Sequence, residues 1–79
     1  VTNTTLKQKL ALWLMDMSHD GKKVVMDMNR EELADYLGVT RPSLSRSMAE
    51  LKHQRIIRIE GKTVWIDHME ELEKIMEDE

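Results

Sequence analysis

The chain has 79 residues, 34% of them charged and 41% hydrophobic, with a formal net charge of −3. That length suits one small domain with one modest core, and the composition is that of an ordinary soluble protein, with the cytoplasm as its expected compartment. No apolar run approaches the length of a membrane span, no secretory signal opens the sequence, and the absence of cysteine excludes disulfides and thiolate metal sites.

The sequence starts on Val1 rather than Met, as a piece of a longer protein or a processed start would. Residues 3–18 read as a helix, because Leu6, Leu10, Trp13, Leu14 and Met17 recur at helical spacing. Asn3, Thr4 or Thr5 offers a cap at its start, and Gly21 in "SHDGKK" supplies the stop. "VVMDM" alternates weakly and begins β-branched, which predicts a short strand.

"NREELADYLG" predicts a second helix. Asn29 and Glu32 have capping-box spacing, and Leu33, Ala34 and Leu37 form one apolar face. Gly38 tolerates a left-handed backbone and turns the chain at once, after which Val39 drops into the core. Thr40 caps a third helix running to about His53, with Pro42 in the first turn, where its missing N–H matters least. Leu44, Met48 and Leu51 share its inward face. "RIIRIEGKTVWID" predicts a hairpin with Ile57, Ile59, Val64 and Ile66 as apolar members and a turn at Gly61-Lys62. A short acidic helix over about 68–78 closes the chain, with Met69, Leu72, Ile75 and Met76 along one side.

A helix, a glycine turn and a second helix make a helix-turn-helix unit, and a hairpin directly after it is a wing. Ala34, Gly38 and Leu44 have the spacing that unit needs: a small side chain for close approach, a turn residue and an apolar lock. The expected architecture is mainly α with a small β-hairpin wing (α+β). It is a winged helix-turn-helix of three core helices plus a C-terminal helix, all within one domain over 1–79. The helix-turn-helix takes about 30–53 and the wing about 56–66.

The net charge conceals an asymmetry. Residues 67–79 carry seven acids and one base, Lys74, which leaves 11 of the 12 bases and 8 of the 15 acids in residues 1–66. The bases are densest between Arg41 and Lys62, the pattern of a patch for an anionic partner.

The third helix explains that patch. With Leu44 set inward and 100° per residue, Pro42, Arg46, Ala49 and His53 point outward. Ser43 and Glu50 flank them on one side, and Arg41, Ser45 and Lys52 on the other. A face of serine, alanine and proline is shallow enough for a double helix to come close. Arg46 rises from it with a planar fork that matches guanine O6 and N7 in the major groove. Arg41 at the helix start is placed for a base edge or a phosphate, where the dipole and free N–H groups also favour phosphate. A merely solvated helix would carry Glu/Lys pairs four apart, and the first three turns have none.

"NREELADYLGVTRPSLSRSMAELKHQRIIRIEGKTVWI" resembles the winged-helix DNA-binding domain of the Crp/Fnr family, the cyclic AMP receptor protein and its relatives. The similarity covers about residues 29–66, and the helix from Asn3 matches the one that precedes this unit in the family. The resemblance implies base contacts from Arg41, Ser45 and Arg46. It implies DNA backbone contacts from Arg30, Thr40 and Lys62, and Ser43 on the flank joins them. Many members have a glutamate where this chain has Pro42, which cannot accept from cytosine, so its operator departs from the family's best-known targets. Ser47 stands where relatives often have an apolar residue, and a bond back to a carbonyl is expected of it.

Family members carry an N-terminal sensory β-barrel and a dimerisation helix, neither of which is in this sequence. The resemblance therefore implies the DNA-reading end of a ligand-regulated bacterial transcription factor. The full-length protein would be a homodimer on a palindromic double-stranded DNA operator, with RNA polymerase as a further partner. No cofactor is expected in this domain, and the effector is not legible.

Other chemistry is poorly represented. His19, His53 and His68 lack ligand spacing, and there is neither a nucleophile elbow nor a glycine loop for phosphate, so no metal and no enzyme activity are expected. Trp13 and Trp65 read as core or half-core residues. The alternative from another class is a winged-helix protein-interaction module without DNA binding, which would use the Met69, Leu72 and Met76 stripe. The simpler expectation is that this stripe packs on the domain's own core.

Overall fold

The computed structural model of the chain describes residues 5–18 and 20–77. The order is α1 (Leu6–Met17), β1 (Lys23–Val25), α2 (Arg30–Leu37), α3 (Arg41–His53), β2 (Ile57–Glu60), β3 (Thr63–Ile66) and α4 (Met69–Glu77). This is the expected winged helix-turn-helix with a fourth helix. Asn3, Thr4, His19, Asp78 and Glu79 lie outside the described residues.

Thr5 caps α1 through a capping box with Gln8: each side chain accepts from the other residue's backbone N–H. Two expectations for this helix need correction. It ends at Met17, with Ser18 as its C-cap, so Gly21 is not the stop. Gly21 (φ +70°) belongs instead to the following turn, where Asp20 Oδ1 accepts from the N–H groups of Lys22 and Lys23. Met17 is 43% exposed, and the buried seam is Leu10, Ala11, Trp13 and Leu14, so the last turn overruns the core.

The sheet also differs from expectation. β1 spans three residues, not the five of "VVMDM", and it is not a separate strand. It pairs antiparallel with β3, Val24 opposite Val64, to give a three-stranded sheet in the order β1-β3-β2. Strand alternation then sorts the faces. Val24, Ile57, Val64 and Ile66 are buried and Ile59 is half-buried against them, while Val25 is 54% exposed on the other face. On that outer face Lys23, Trp65 and Arg58 form one cross-strand row. Trp65 is half-buried, with Lys23 Nζ 5.3 Å and Arg58 Cζ 5.6 Å from the ring centroid.

The helix-turn-helix forms as the spacing predicts. Asn29 and Glu32 make the reciprocal capping box, with bonds of 2.8 and 2.9 Å. Gly38 closes α2 at φ +74°, its N–H donating to the Ala34 carbonyl, and Val39 is half-buried against the core. Ala34 and Leu44 are both buried where the two helices meet. Leu44, Met48 and Leu51 line the inner side of α3. Leu72 of α4 is fully buried, with Met69, Ile75 and Met76 packed against the core and α4 lying on α1. The apolar stripe of α4 thus packs on the domain's own core, with Leu72 buried and Met69, Ile75 and Met76 half-buried. Ser47 is buried as well, but among the described residues no carbonyl takes its hydroxyl. The expected back-bond is absent there.

Candidate nucleic-acid interface

α3 is tied to its neighbours on one flank and left open on its outer side. Lys7 of α1 pairs with Glu50 at 2.8 Å, and Lys9 Nζ donates to the Leu37 carbonyl at 3.3 Å, so α1 braces both helices of the unit. Pro42, Arg46, Ala49 and His53 are all exposed, as the helical wheel predicts. Arg41 is also exposed, and Ser43 and Ser45 are half-buried on opposite flanks. Among the described residues neither Arg41 nor Arg46 forms an ion pair or a side-chain hydrogen bond.

The start of α3 is less rich in free donors than the sequence suggested. Thr40 Oγ1 accepts from the Ser43 N–H at 3.3 Å and donates to Ser43 Oγ at 2.9 Å. Pro42 has no N–H, and the Leu44 N–H already bonds the Thr40 carbonyl at 3.0 Å. Of the four N–H positions a helix start usually leaves open, here residues 40 to 43, only the N–H groups of Thr40 and Arg41 stay unbonded among the described residues. The Thr40 hydroxyl proton is committed to Ser43, so the hydroxyl proton left to offer outward is that of Ser43. The signal was in the sequence: Thr, three residues before Ser, with Pro between.

The remaining backbone candidates converge elsewhere. Arg30 at the start of α2 and Lys62 at the wing tip line one cleft with Met26, Met28 and Ile59. Asp27 and Glu32 also line it, but Glu32 is held by its capping bond to the Asn29 N–H. The Met26 N–H donates to the Lys62 carbonyl at 2.7 Å, fixing the wing turn against the segment that leads into α2. Gly61, at φ +60°, makes that turn. The juxtaposition of Arg30 and Lys62 depends on β1 joining the sheet, which the sequence reading missed.

Cations away from these positions are mostly partnered. Arg58 Nε lies 2.8 Å from Asp67 and Arg58 Nη1 lies 3.3 Å from Glu60. The hydrogen bond to Asp67, then its charge, holds the Arg58 guanidinium above its ordinary pKa. Lys74 pairs with Glu71 and His68 lies 3.3 Å from Glu70. The outer acids of α4 lie on the helix that packs against α1.

Comparison with known proteins places this architecture. The Crp-like helix-turn-helix domain model matches residues 8–75. The chain is 36% identical over 50 residues to a CRP-like cAMP-activated global transcriptional regulator of Mycobacterium tuberculosis (strain CDC 1551 / Oshkosh), a match covering 63% of this chain and 22% of that protein. It is 46% identical over 37 residues to the transcriptional activator protein FnrL of Cereibacter sphaeroides, covering 47% and 15%. Among solved structures it is similar to FixK2 from Bradyrhizobium japonicum, with a TM-score of 0.83 and 24% identity over 92% of this chain and 39% of that one. A CO-dependent transcription factor, CooA from Carboxydothermus hydrogenoformans, gives a TM-score of 0.78 over 89% and 36%. The matches thus span between 15% and 39% of those relatives' lengths.

Proposed function

The chain belongs to the Crp-like helix-turn-helix family, and from that premise we propose that it is the sequence-specific, double-stranded DNA-reading domain of a ligand-regulated bacterial transcription factor. α3 enters the major groove and the wing lies on the backbone. The carrying observation is the outer side of α3: a shallow, exposed floor of Pro42 and Ala49, with the guanidinium of Arg46, free of any ion pair among the described residues, standing between them.

In this reading Arg46 forks onto guanine O6 and N7, and Arg41 and Ser45 reach neighbouring base edges. Pro42 makes no polar contact, and its ring offers only an apolar surface, such as a thymine methyl group would meet. Ser43 donates its hydroxyl proton to a phosphate, with Thr40 orienting it and adding its own contact through the backbone. Arg30 and Lys62 take a phosphate at their shared cleft, charge-assisted and independent of sequence. Nothing in this scheme requires a cofactor or a catalytic step.

The parent protein is proposed to be a cytoplasmic homodimer on a palindromic operator, with RNA polymerase as a further partner. Two such α3 helices would read half-sites about one DNA turn apart. Selection of bound duplexes from a random pool tests the reading. The chain should enrich one guanine-containing half-site, with affinity that falls steeply as salt rises. Salt-insensitive binding, or no enrichment, would make it a protein-interaction module instead.

A further inference from the structure

All three glycines of the chain, Gly21, Gly38 and Gly61, sit at positive φ. One further described residue does so, and it is an arginine: Arg55, at φ 64°. It closes α3. The Arg55 N–H donates to the Lys52 carbonyl and the Ile56 N–H to the Leu51 carbonyl, both at 3.0 Å. These are the paired bonds of a helix end whose left-handed residue is ordinarily glycine, because a Cβ there is strained. The fold uses glycine at its other left-handed turns and keeps a strained side chain here. Strain of this kind persists where the side chain is used.

The surroundings indicate the use. Arg55 is exposed and forms no ion pair among the described residues; the same is true of Lys52, one turn back. Both line a cleft between the last turn of α3 and the edge strand β2. The carboxylates in that cleft, Glu60 and Asp67, are already held by Arg58. Arg58 thus engages both local acids, and with Lys52 and Arg55 the cleft sets three cations against two carboxylates, an excess of one positive charge. On the helical wheel Lys52 shares its flank with Arg41 and Ser45, so the cleft continues the side of α3 that carries two of the proposed DNA contacts.

We infer that Arg55, assisted by Lys52, is a further DNA-backbone clamp: the cleft between α3 and β2 takes a phosphodiester of the strand passing between recognition helix and wing. This rests on the DNA-reading function proposed above. The occupant is a phosphate because the free groups are cations on an exposed, shallow cleft, with no base-edge geometry asked of them. A glycine at 55 would make the better helix end and the poorer clamp.

The experiment uses the chain itself and a random-sequence duplex, with affinity measured across a salt series and the melting temperature measured alongside. Arg55→Gly should lower the slope of log affinity against log salt by about one and raise the melting temperature by about 4 °C as the strain is relieved. Arg55→Gln should lower the slope equally without that rise, and Arg55→Lys should restore the slope. An unsubstituted chain with a steep slope that both uncharged variants preserve would overturn the clamp and leave the DNA reading intact. A flat slope for the unsubstituted chain would overturn both. Altered base preference in the Arg55 variants would also overturn it, since the group would then be reading sequence. So would an Arg55-dependent affinity for an acidic peptide with duplex affinity unchanged.

Discussion

The cations of this small protein fall into two populations. Around α1, α4 and the outer sheet face, Lys7, Arg58 and Lys74 each meet a carboxylate, Lys9 meets a carbonyl and Lys23 lies over Trp65. On α3, the wing tip and the start of α2, Arg30, Arg41, Arg46, Lys52, Arg55 and Lys62 form no ion pair among the described residues. Lys22, which forms no ion pair among the described residues, is the exception on the first side. A chain with more acids than bases had the means to pair most of its cations. Leaving six unpaired on connected elements is the electrostatic form of a site for a polyanion, whereas the paired group serves the fold.

The largest effect that bears on this contrast comes from inside α3. Leu44→Ala should cost about 2–5 kcal/mol of folding stability, because Leu44 is fully buried where α3 meets α2. Thermal unfolding would show it, and binding should be lost on every duplex together. If binding survived with the core opened, the outer face would not depend on the packing that aims it.

Arg46→Ala comes next, at about 1–3 kcal/mol of binding per half-site, confined mainly to the preferred sequence. The melting temperature should hardly move, since Arg46 is exposed on the outer side of α3. A paired titration on the selected site and a scrambled duplex separates the outcomes; equal losses on both would reassign Arg46 to the phosphates.

Lys62→Ala and Arg30→Ala should each weaken binding about equally on all sequences and reduce the salt slope by about one. A change in preferred sequence from either would mean that the cleft between them reads bases. Lys74→Ala should leave the salt slope unchanged, because Glu71 already engages that ammonium on α4. A fallen slope there would dissolve the distinction between the two populations.

The smallest effect is a pH dependence away from the DNA side. The N–H groups of Lys22 and Lys23 hold the exposed Asp20 carboxylate below its ordinary pKa, the Lys22 bond contributing most. A lowered folded-state value means the contribution is present above the ordinary carboxylate range and is lost as pH falls through the lowered value. Acid titration of stability should therefore flatten slightly in Asp20→Ala, and duplex affinity at neutral pH should not change. A steeper acid loss would mean the turn does not rely on Asp20.

The sequence disclosed most where local chemistry decides structure. Asn29 and Glu32, Gly38, Thr40 and the Gly61-Lys62 turn act within a few residues of themselves, so helix ends and the wing turn could be placed from spacing alone. The outward face of α3 followed from the same periodicity. β1 was read poorly because only Val24 of its three residues is buried, and its partner Val64 is 40 positions away. With β1 unplaced, the meeting of Arg30 and Lys62 was invisible. The loss of free N–H groups at the start of α3 was legible in "TRPS" but needed the Thr40–Ser43 bond to be noticed. Arg55 was missed for the opposite reason: a left-handed helix end announces itself by glycine, and here the announcing residue is absent.

The bond from the Met26 N–H to the Lys62 carbonyl has a kinetic corollary. A hairpin free to swing would have to be immobilised at each encounter with the duplex, and that ordering would slow association and oppose it entropically. Here the wing tip is latched to the segment leading into α2 before any DNA arrives. In the proposed reading, an encounter that brings α3 to the groove would find Lys62 already positioned. Association should be set by electrostatic steering and orientation, and the Met26 amide should exchange slowly with solvent in the free protein.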